Sequence, residues 1–454
     1  MYNAHMLNDN RRYDLKDFKK NEHPGSYKAS LNLLRGLFLT LSSTAVVLAI
    51  VLTGAFIAKR HASDTVITNE SSGIAVLEGP VATPVPENVY TVTEYYQDSD
   101  VVNSYFGELE PAANPVPYEH VPVRGIYIGG AAYLDENIEL IHNSELNAVV
   151  IDLKESNGVY FNSSNEVAIS SGSVMSNYNL QEVVQRCHDE GIWVIGRIVC
   201  FNDPILAQAD PSRAICDSAG NVLYFSTEGS HAFLNPYDTN NWEYLIDMAY
   251  EAIDAGVDEI QFDYIRFPTG STTSGNAPYF GLEGQIPEKY EVVNRFIRYA
   301  RTRIQDTLGI PISCDLFGII VLSDYDGYNI GQNWQTVGLC GEDSICPMIY
   351  PSHYALGTMF GQVTYDKPDL YPYDVMLASI YHGEDAFYQT GYCTVRPYVQ
   401  AFTAAYIGAG NYQEYGYEQI NDQIRAIQDA GLEEYILWNA GAVYPEGNYG
   451  GNNG

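Results

Sequence analysis

The chain has 454 residues, of which 46% are hydrophobic and 13% aromatic, so it can bury a large core and is not a disordered chain. Its 57 acidic and 23 basic residues give a formal net charge of -34. This balance disfavours a nucleic-acid partner, because phosphate binding requires clustered Lys and Arg. A neutral or cationic partner is more compatible with it. Seven cysteines without CxxC spacing predict neither a zinc site nor a dense disulfide framework, and we expect no metal and no cofactor.

An uncharged apolar stretch covers residues 36–58, with the sequence GLFLTLSSTAVVLAIVLTGAFIA. About 20 apolar residues cross a bilayer as a helix, and an excess of Lys and Arg before the stretch predicts that residues 1–35 are cytoplasmic. A cleaved signal peptide is the alternative, but its apolar region is usually only about 7–15 residues long. The sequence therefore predicts a single-pass cell-membrane protein whose signal anchor is retained, with the rest of the chain extracellular.

Composition divides the remaining chain into three parts. Residues 59–120 are rich in Pro, Ser, Thr and acidic residues, which predicts an extended linker. Residues 121–445 alternate apolar runs with helical patterns, and residues 446–454 form a tail rich in Gly and Asn. We therefore expect one large folded domain over 121–445.

Eight apolar runs in this domain are predicted to be buried parallel strands, because continuous apolarity is what a sheet covered on both faces requires. They are VRGIYIGG (123–130), NAVVIDLKES (147–156), IWVIGRIVCF (192–201), EIQFDYIRFP (259–268), PISCDLFGII (311–320), SICPMIYPSHY (344–354), TVRPYVQAF (394–402) and EYILWNAGA (434–442).

Helical patterns lie between these strands, and four of them finish in a glycine just before the next strand, at Gly191, Gly256, Gly309 and Gly431. Glycine is the usual residue at a helix C-terminus before a short loop. Eight such units predict an α/β fold, a (β/α)₈ TIM barrel. A doubly wound open sheet is the competing interpretation, but the first unit lacks a glycine-rich phosphate-binding fingerprint.

Polar side chains follow the strand ends, which converge at one mouth of a barrel. The candidate substrate-binding or catalytic residues are Asp152 and Glu155 after strand 2, Arg197 and Asn202 on strand 3, Asp263 and Arg266 on strand 4, Asp315 on strand 5, Tyr350 and His353 on strand 6, Arg396 on strand 7, and Trp438 and Asn439 on strand 8. Paired carboxylates can serve as acid and nucleophile, or as acid and base, on a glycosidic bond, while aromatic faces stack on sugar rings. The combination predicts a carbohydrate substrate.

Three segments, WVIGRIVCFNDP, HAFLNPYDTNNWEYLIDMAYEAIDAGVDEIQFDYIRFP and ICPMIYPSHY, resemble the putative glycosyl hydrolase domain family (domain of unknown function 4015), over roughly residues 123 to 445. The resemblance implies a barrel related to the α-amylase-like glycosidases. In those enzymes the nucleophilic Asp ends strand 4 and a Glu ends strand 5. By position, Asp263 corresponds to the nucleophile, but Asp315 stands at the strand 5 position, and Gln261 replaces the Arg usual two residues before the nucleophile.

The sequence allows more than one assignment of the catalytic residues and of the function. Either Asp315 or Glu155 can be the acid/base partner of Asp263, and Asp263 with Arg266 can instead be a structural ion pair. The favoured hypothesis is a membrane-anchored extracellular glycoside hydrolase acting on a cell-wall or environmental polysaccharide. The alternative is a non-catalytic carbohydrate-binding or envelope-assembly protein on the same barrel, because fold alone does not secure activity.

Overall fold

The computed structural model describes residues 96–282 and 284–451. The predicted cytoplasmic segment, the predicted anchor over 36–58 and the first part of the predicted linker lie outside the described residues. Within the described part of the chain, none of the helices combines the length and the apolar character needed to span a bilayer.

The strands are β1 (Arg124–Gly129), β2 (Ala148–Glu155), β3 (Gly158–Phe161), β4 (Val174–Tyr178), β5 (Trp193–Val199), β6 (Tyr224–Phe225), β7 (His231–Ala232), β8 (Glu259–Asp263), β9 (Ile312–Phe317), β10 (Ser344–Met348), β11 (Thr358–Phe360), β12 (Val363–Tyr365), β13 (Thr394–Val395), β14 (Tyr398–Gln400) and β15 (Tyr435–Trp438). Nine of them pair in parallel in the order β13-β10-β9-β8-β5-β2-β1-β15-β14. Each predicted strand contains one of these nine, and the seventh contains two.

The seventh strand is split because Arg396 and Pro397 separate β13 from β14, and proline has no backbone N–H to donate to a ladder. β13 pairs with β10 and β14 pairs with β15, so the two edges of the sheet meet in the segment 394–400. The sheet is therefore curled, in an α/β fold consistent with a TIM-like barrel.

The helices are α1 (Asp100–Phe106), α2 (Leu134–His142), α3 (Glu166–Ser171), α4 (Leu180–Asp189), α5 (Pro204–Ala209), α6 (Thr239–Asp254), α7 (Lys289–Arg303), α8 (Gln305–Leu308), α9 (Asp324–Ile330), α10 (Trp334–Val337), α11 (Pro372–Phe387) and α12 (Tyr417–Asp429). Four of the predicted helices are followed by the predicted glycines, whose φ angles are 72° at Gly191, 98° at Gly256, 71° at Gly309 and 81° at Gly431. These left-handed conformations turn the chain back to the next strand without the steric cost that a Cβ would add.

Residues 96–120, predicted to be part of an extended linker, pack against the barrel instead. Asp98 forms ion pairs with Arg295 and Arg298 of α7. The Phe106 ring lies 4.8 Å from the Trp242 ring of α6, and Val116 donates a 2.8 Å backbone hydrogen bond to Asp306. We call residues 96–120 the strap. The charged and aromatic residues of the strap follow no sustained period, so the sequence pattern did not predict that the strap packs against the barrel.

The predicted tail also packs in part. Tyr449 is fully buried, and its carbonyl accepts a hydrogen bond from the Tyr435 hydroxyl of β15. Gly451 donates a 3.0 Å hydrogen bond to Asn421 of α12. Residues 446–451 are thus joined to the last βα unit.

Candidate active site

One guanidinium group brings together four carboxylates from three strands, β2, β8 and β9. Arg197 of β5 donates hydrogen bonds of 2.5 Å to Asp152 Oδ1, 2.6 Å to Glu155 Oε1 and 2.5 Å to Asp263 Oδ2. Its Nε atom lies 3.6 Å from Asp315 Oδ2. We call the four carboxylates, Asp152, Glu155, Asp263 and Asp315, the acidic cluster. An unpaired guanidinium in a barrel interior would be prohibitively costly, so these contacts account for the burial of Arg197.

Strand register and a bulge bring Asp152 and Glu155 to the same guanidinium. Asp152 lies opposite Arg197 in the parallel pairing of β2 with β5, and the register shifts between Asp152 and Lys154. In a regular strand two residues three apart face opposite sides of the sheet, and an added residue at a bulge reverses that relation. Lys154 therefore points elsewhere: its Nζ donates 2.6 Å to the Val199 carbonyl and lies 3.1 Å from Asp203 Oδ2.

Asp263 is the last residue of β8, and the backbone immediately after it is strained. Tyr264 has φ 52°, a left-handed conformation that is uncommon for a residue with a Cβ. Its amide donates a 2.6 Å hydrogen bond to Asp263 Oδ1. The two oxygens of Asp263 are therefore held separately, Oδ1 by the backbone and Oδ2 by Arg197. This fixes the orientation of the carboxylate at the barrel mouth.

Four carboxylates beside one guanidinium cannot all be charged at low cost. Burial raises the pKa of Asp152 to about 7, against the opposing effect of Arg197 and with a further rise from Glu155. Burial, and then the charge of Asp263, raise the pKa of Asp315 well above its ordinary value. Burial alone would lower the pKa of Arg197, but Asp152, Asp263 and Glu155 together raise it. The cluster therefore retains protons on Asp152 and Asp315 at pH values where exposed carboxyls have lost them.

The four side chains differ in how far they can reach a bound molecule. The side chain of Glu155 is 21% exposed, whereas that of Asp263 is 7%, that of Asp152 2% and that of Asp315 0% exposed. Neither carboxylate oxygen of Asp315 has a hydrogen-bond donor among the described residues. Of the two acid/base partners predicted for Asp263, Glu155 is the accessible one.

Aromatic rings form one wall beside the acidic cluster. The Trp438 ring stacks on Tyr350 at 5.9 Å with an angle of 27° between planes, and lies 6.0 Å from Tyr127. The Tyr127 hydroxyl in turn donates to Asp152. His353 packs 4.5 Å from the Tyr350 ring, and burial lowers the pKa of His353 to about 4, so this imidazole is neutral at pH 7.

Three predicted site residues form hydrogen bonds with loop residues around the barrel mouth and not with the acidic cluster. Arg266 donates hydrogen bonds of 2.9 and 3.2 Å to the two carboxylate oxygens of Glu228, so this pair replaces the predicted pairing with Asp263. Asn202 lies 3.1 Å from a ring nitrogen of His231. Asn439 closes the turn after β15 through hydrogen bonds to the carbonyls of Ala401 and Val443 and from the amide of Gly441.

Arg396 lies at the opposite end of the sheet from the acidic cluster. It is fully buried and donates 2.7 Å hydrogen bonds to Glu259, the first residue of β8, and to Glu434, which precedes β15. Because both partners stand at amino ends of strands, the structure does not bring the predicted substrate-binding Arg396 to the mouth. Its position just before the break at Pro397 places it near the start of the seventh strand, not its end.

Two residues of the site were not predicted. Tyr127 and Glu228 contact Asp152 and Arg266, respectively, and neither was among the candidates. Tyr127 lies inside an apolar run, GIYIGG, that was interpreted only as a strand. In the described ranges no three or more His, Cys, Asp or Glu side chains are arranged to hold a metal ion.

The comparison that decides the family is a match of its sequence profile to residues 121–444, described as a putative glycosyl hydrolase domain. The chain belongs to this family. None of the curated proteins matches the chain.

Several solved structures are similar to this putative glycosyl hydrolase domain protein. A hypothetical protein from Ruminiclostridium thermocellum is 35% identical, over 42% of this chain and 96% of that one, with a TM-score of 0.37. The PgaB (BpsB) glycoside hydrolase domain from Bordetella bronchiseptica is 12% identical over 71% and 95% of the two chains, with a TM-score of 0.47. An alpha-galactosidase from Thermus thermophilus is 11% identical over 73% and 60%, with a TM-score of 0.44.

Proposed function

We propose that this protein is a membrane-anchored extracellular glycoside hydrolase that cleaves glycosidic bonds of a cell-wall or environmental polysaccharide on a (β/α)₈ barrel. The observation that carries the proposal is the contact of Asp263 and Glu155 with two nitrogens of the single guanidinium of Arg197. Glycosidases need a pair of carboxyl groups on either side of the bond that they cleave. The family membership of residues 121–444 supports the same reaction class.

The spacing of the carboxyl groups favours a catalytic pair over isolated residues. Glu155, Asp263 and Asp315 all lie against one guanidinium, a planar group only about 2–3 Å across, so Glu155 and Asp315 are both well within about 10 Å of Asp263. Carboxyl separations of about 5 Å accompany retention of configuration at the sugar, and about 6.5–9.5 Å accompany inversion. The cluster is compact enough for either chemistry.

The accessibility of the side chains supports one division of catalytic roles. Asp263, whose two oxygens are held by Arg197 and the Tyr264 amide, would attack the anomeric carbon as nucleophile. Glu155, the most exposed member of the cluster, would have to take up a proton when the sugar binds, give it to the leaving glycosidic oxygen and then take a proton from the water that releases the sugar. Asp315, fully buried and 3.6 Å from Arg197 Nε, would instead set the charge around Asp263.

The aromatic wall would bind the sugar. Flat rings stack on the apolar face of a pyranose, and Trp438, at the end of β15 and stacked on Tyr350, offers such a surface next to the cluster. The Trp438 ring, supported by the buried Tyr350, would thus position the glycosidic bond between Asp263 and Glu155.

The proposed location depends on the N-terminal sequence. The apolar stretch over 36–58, preceded by an excess of Lys and Arg, supports a retained single-pass anchor with residues 1–35 in the cytoplasm. The barrel would then lie outside the cell, where polysaccharide is available.

One observation favours the alternative of a non-catalytic carbohydrate-binding or envelope-assembly protein. Three of the four carboxylates in the cluster are at most 7% exposed, as they would be in a structural ion-pair network that closes the mouth. In that case the aromatic wall would still bind a glycan, but the bond would not be cleaved.

An assay in which the full-length protein is incubated with a panel of polysaccharides distinguishes the two functions. Release of new reducing ends by the wild type and by Asp189→Asn, an exposed position on α4, but not by Asp263→Asn or Glu155→Gln, would support hydrolysis. Release by Asp263→Asn at the wild-type rate would remove Asp263 from the mechanism. Glycan binding without any release would establish the non-catalytic function.

A further inference from the structure

The backbone turn after Asp263 needs support from its surroundings. Tyr264 has φ 52°, a conformation that a residue with a Cβ keeps only where neighbouring groups enforce it. The Asp263 carbonyl accepts a 2.8 Å hydrogen bond from the amide of Cys200. The Tyr264 carbonyl accepts one of 3.3 Å from the amide of Phe201, which is longer than usual for an N–H donor. The backbone contacts therefore constrain Tyr264 only in part.

The ring of Tyr264 packs against the guanidinium group of Arg266. The central carbon of this group lies 4.6 Å from the centroid of the Tyr264 ring, 5.2 Å from that of Phe317 and 6.0 Å from that of Phe233. Guanidinium groups stack on aromatic faces at such distances, and the attraction is stronger where water is excluded, as it is around the buried Arg266. Because side-chain rotamers depend on φ and ψ, a fixed ring also restricts the backbone of its own residue.

Glu228 fixes the position of Arg266. The hydrogen bonds of 2.9 and 3.2 Å from Arg266 to the two Glu228 oxygens form a bidentate pair. The buried Glu228 also accepts hydrogen bonds of 2.7 Å from the amide and 2.6 Å from the hydroxyl of Thr269. Burial alone would raise the pKa of Glu228, but Arg266 and Thr269 lower it below its ordinary value, so the pair is ionised at neutral pH.

The pair connects the loops that follow two neighbouring strands. Glu228 lies in the turn Ser226–Glu228, in the segment after β5, whereas Arg266 and Thr269 follow β8. Strands β5 and β8 are paired in the sheet, and they supply Arg197 and Asp263 to the acidic cluster. One buried ion pair thus joins the two loops that leave the site.

Stability alone does not account for two ionised groups at this place. A buried ion pair is often no more stabilising than apolar side chains of similar volume, because the desolvation of both charges offsets their attraction. A bidentate pair does provide geometry, since it fixes the plane of the guanidinium group and therefore the ring that stacks on it.

We propose that Arg266 and Glu228 are positioning residues for Asp263. They keep Tyr264 in its left-handed turn, so that the Tyr264 amide stays directed at Asp263 Oδ1. The inference rests on the proposed hydrolase function, in which Asp263 is the nucleophile. With Oδ1 held by this amide and Oδ2 by Arg197, the carboxylate cannot rotate away from the sugar.

Crystal structures of the full-length protein and its variants test the geometry without any substrate. The double variant Glu228→Met/Arg266→Met replaces the pair by apolar side chains of similar length, which should preserve the fold even if Arg266→Met alone does not fold. In the double variant we expect the φ of Tyr264 to become negative and the distance from its amide to Asp263 Oδ1 to exceed about 3.5 Å. A Tyr264 φ that stays near 52° would overturn the proposal.

Arg396→Met is the matched control for the structural measurement. It removes a buried arginine from its ion pairs with Glu259 and Glu434 at the opposite end of the sheet. The φ of Tyr264 and the distance from its amide to Asp263 Oδ1 should therefore stay as in the wild type. A change of both quantities in this control as well would show that they respond to any loss of a buried arginine, and would also overturn the proposal.

Kinetics with a glycine rescue separate positioning from a general loss of structure. On the polysaccharide from which the wild type releases reducing ends, the double variant should show a kcat lower by about 10²-fold, with KM changed less than about threefold. Glycine adopts positive φ without the steric cost of a Cβ, so adding Tyr264→Gly to the double variant should recover about tenfold of the lost kcat. A triple variant no faster than the double variant would contradict the inference.

The two proposals can fail separately. If the wild type cleaves no polysaccharide of the panel, the hydrolase function is contradicted, and the φ of Tyr264 in the crystal structures still decides whether Arg266 and Glu228 position Asp263. If the wild type and the double variant cleave the same polysaccharide equally fast, the hydrolase function stands and the positioning role is contradicted.

Discussion

Arg197 Nη2 donates a 2.5 Å hydrogen bond to Asp263 Oδ2, across the boundary between β5 and β8 and between residues 66 positions apart in the sequence. The other terminal nitrogen of the same guanidinium binds Asp152 and Glu155. Arginine's rigid fork of donors suits such a task better than the single ammonium of lysine. The orientation of the proposed nucleophile therefore depends on a residue that does not take part in the chemistry.

Replacing this arginine should have a large effect on stability. In Arg197→Met the buried carboxylates lose their shared partner, and we expect the free energy of unfolding at pH 7 to fall by about 3–5 kcal/mol. Urea unfolding monitored by circular dichroism measures the change. Arg186→Met, at a side chain that is 45% exposed, should cost less than about 1 kcal/mol. Equal effects of the two substitutions would show that the cluster is not buried as described.

Asp152 should make the protein less stable as the pH rises from about 4 to about 7. Its pKa is about 7 in the folded protein and near the ordinary value of 3.8 when unfolded, so in this window the folded state binds more protons and stability falls with rising pH. Asp152→Asn removes this titration, and we expect a smaller loss of stability across the window. Urea unfolding at several pH values tests this, with Asp189→Asn as the control that keeps the wild-type slope.

Cleavage should depend on Glu155 once a cleaved glycan is found. As general acid it delivers a proton to the leaving glycosidic oxygen, so Glu155→Gln should lower kcat by about 10²–10⁴-fold. A substrate with a good leaving group, which needs little protonation, should be affected least. An equal kcat of the variant and the wild type on a substrate with a poor leaving group would transfer the role to Asp315.

Arg396 should affect stability but not ligand binding. Arg396→Met leaves Glu259 and Glu434 buried without their guanidinium partner, and we expect a loss of about 3–5 kcal/mol. At temperatures where the variant remains folded, its dissociation constant for a glycan should match that of the wild type. Calorimetry measures both quantities, and a weakened affinity in the folded variant would return Arg396 to the binding site.

The strands could be predicted because a sheet covered on both faces requires long apolar runs, and each of the eight runs contains a strand. The glycines after the helices could also be predicted, because glycine is the usual residue at a helix C-terminus before a short loop. Helix α11 was not predicted, since its apolar positions follow no clear period in PYDVMLASIYHGEDAF. Local sequence patterns thus predicted the strands and helices whose buried residues recur at regular spacing.

The acidic cluster could be predicted only in part. Asp152, Glu155, Arg197, Asp263 and Asp315 were all predicted as candidates because they are charged residues near ends of apolar strands, where burial without a function or partner is costly. The bulge after Asp152, which turns Glu155 to the same side, and the pairing of Arg266 with Glu228 depend on strand register and loop contacts that one sequence does not reveal. Arg396 was misplaced because the break at Pro397 hides where its strand begins.

The strap has a practical consequence for dividing the chain. Burial alone would lower the pKa of His120, but hydrogen bonds with Asp343 and Glu434 raise it to about 10, so its imidazole is charged at neutral pH. A fragment cut at residue 121, where the family match begins, would lose the His120 cation and the ion pairs of Asp98. The carboxylates of Asp343 and Glu434 would then lie close together without the positive charge between them. The smallest autonomous folding unit should therefore begin at or before residue 96, and a shorter fragment should be prone to aggregate.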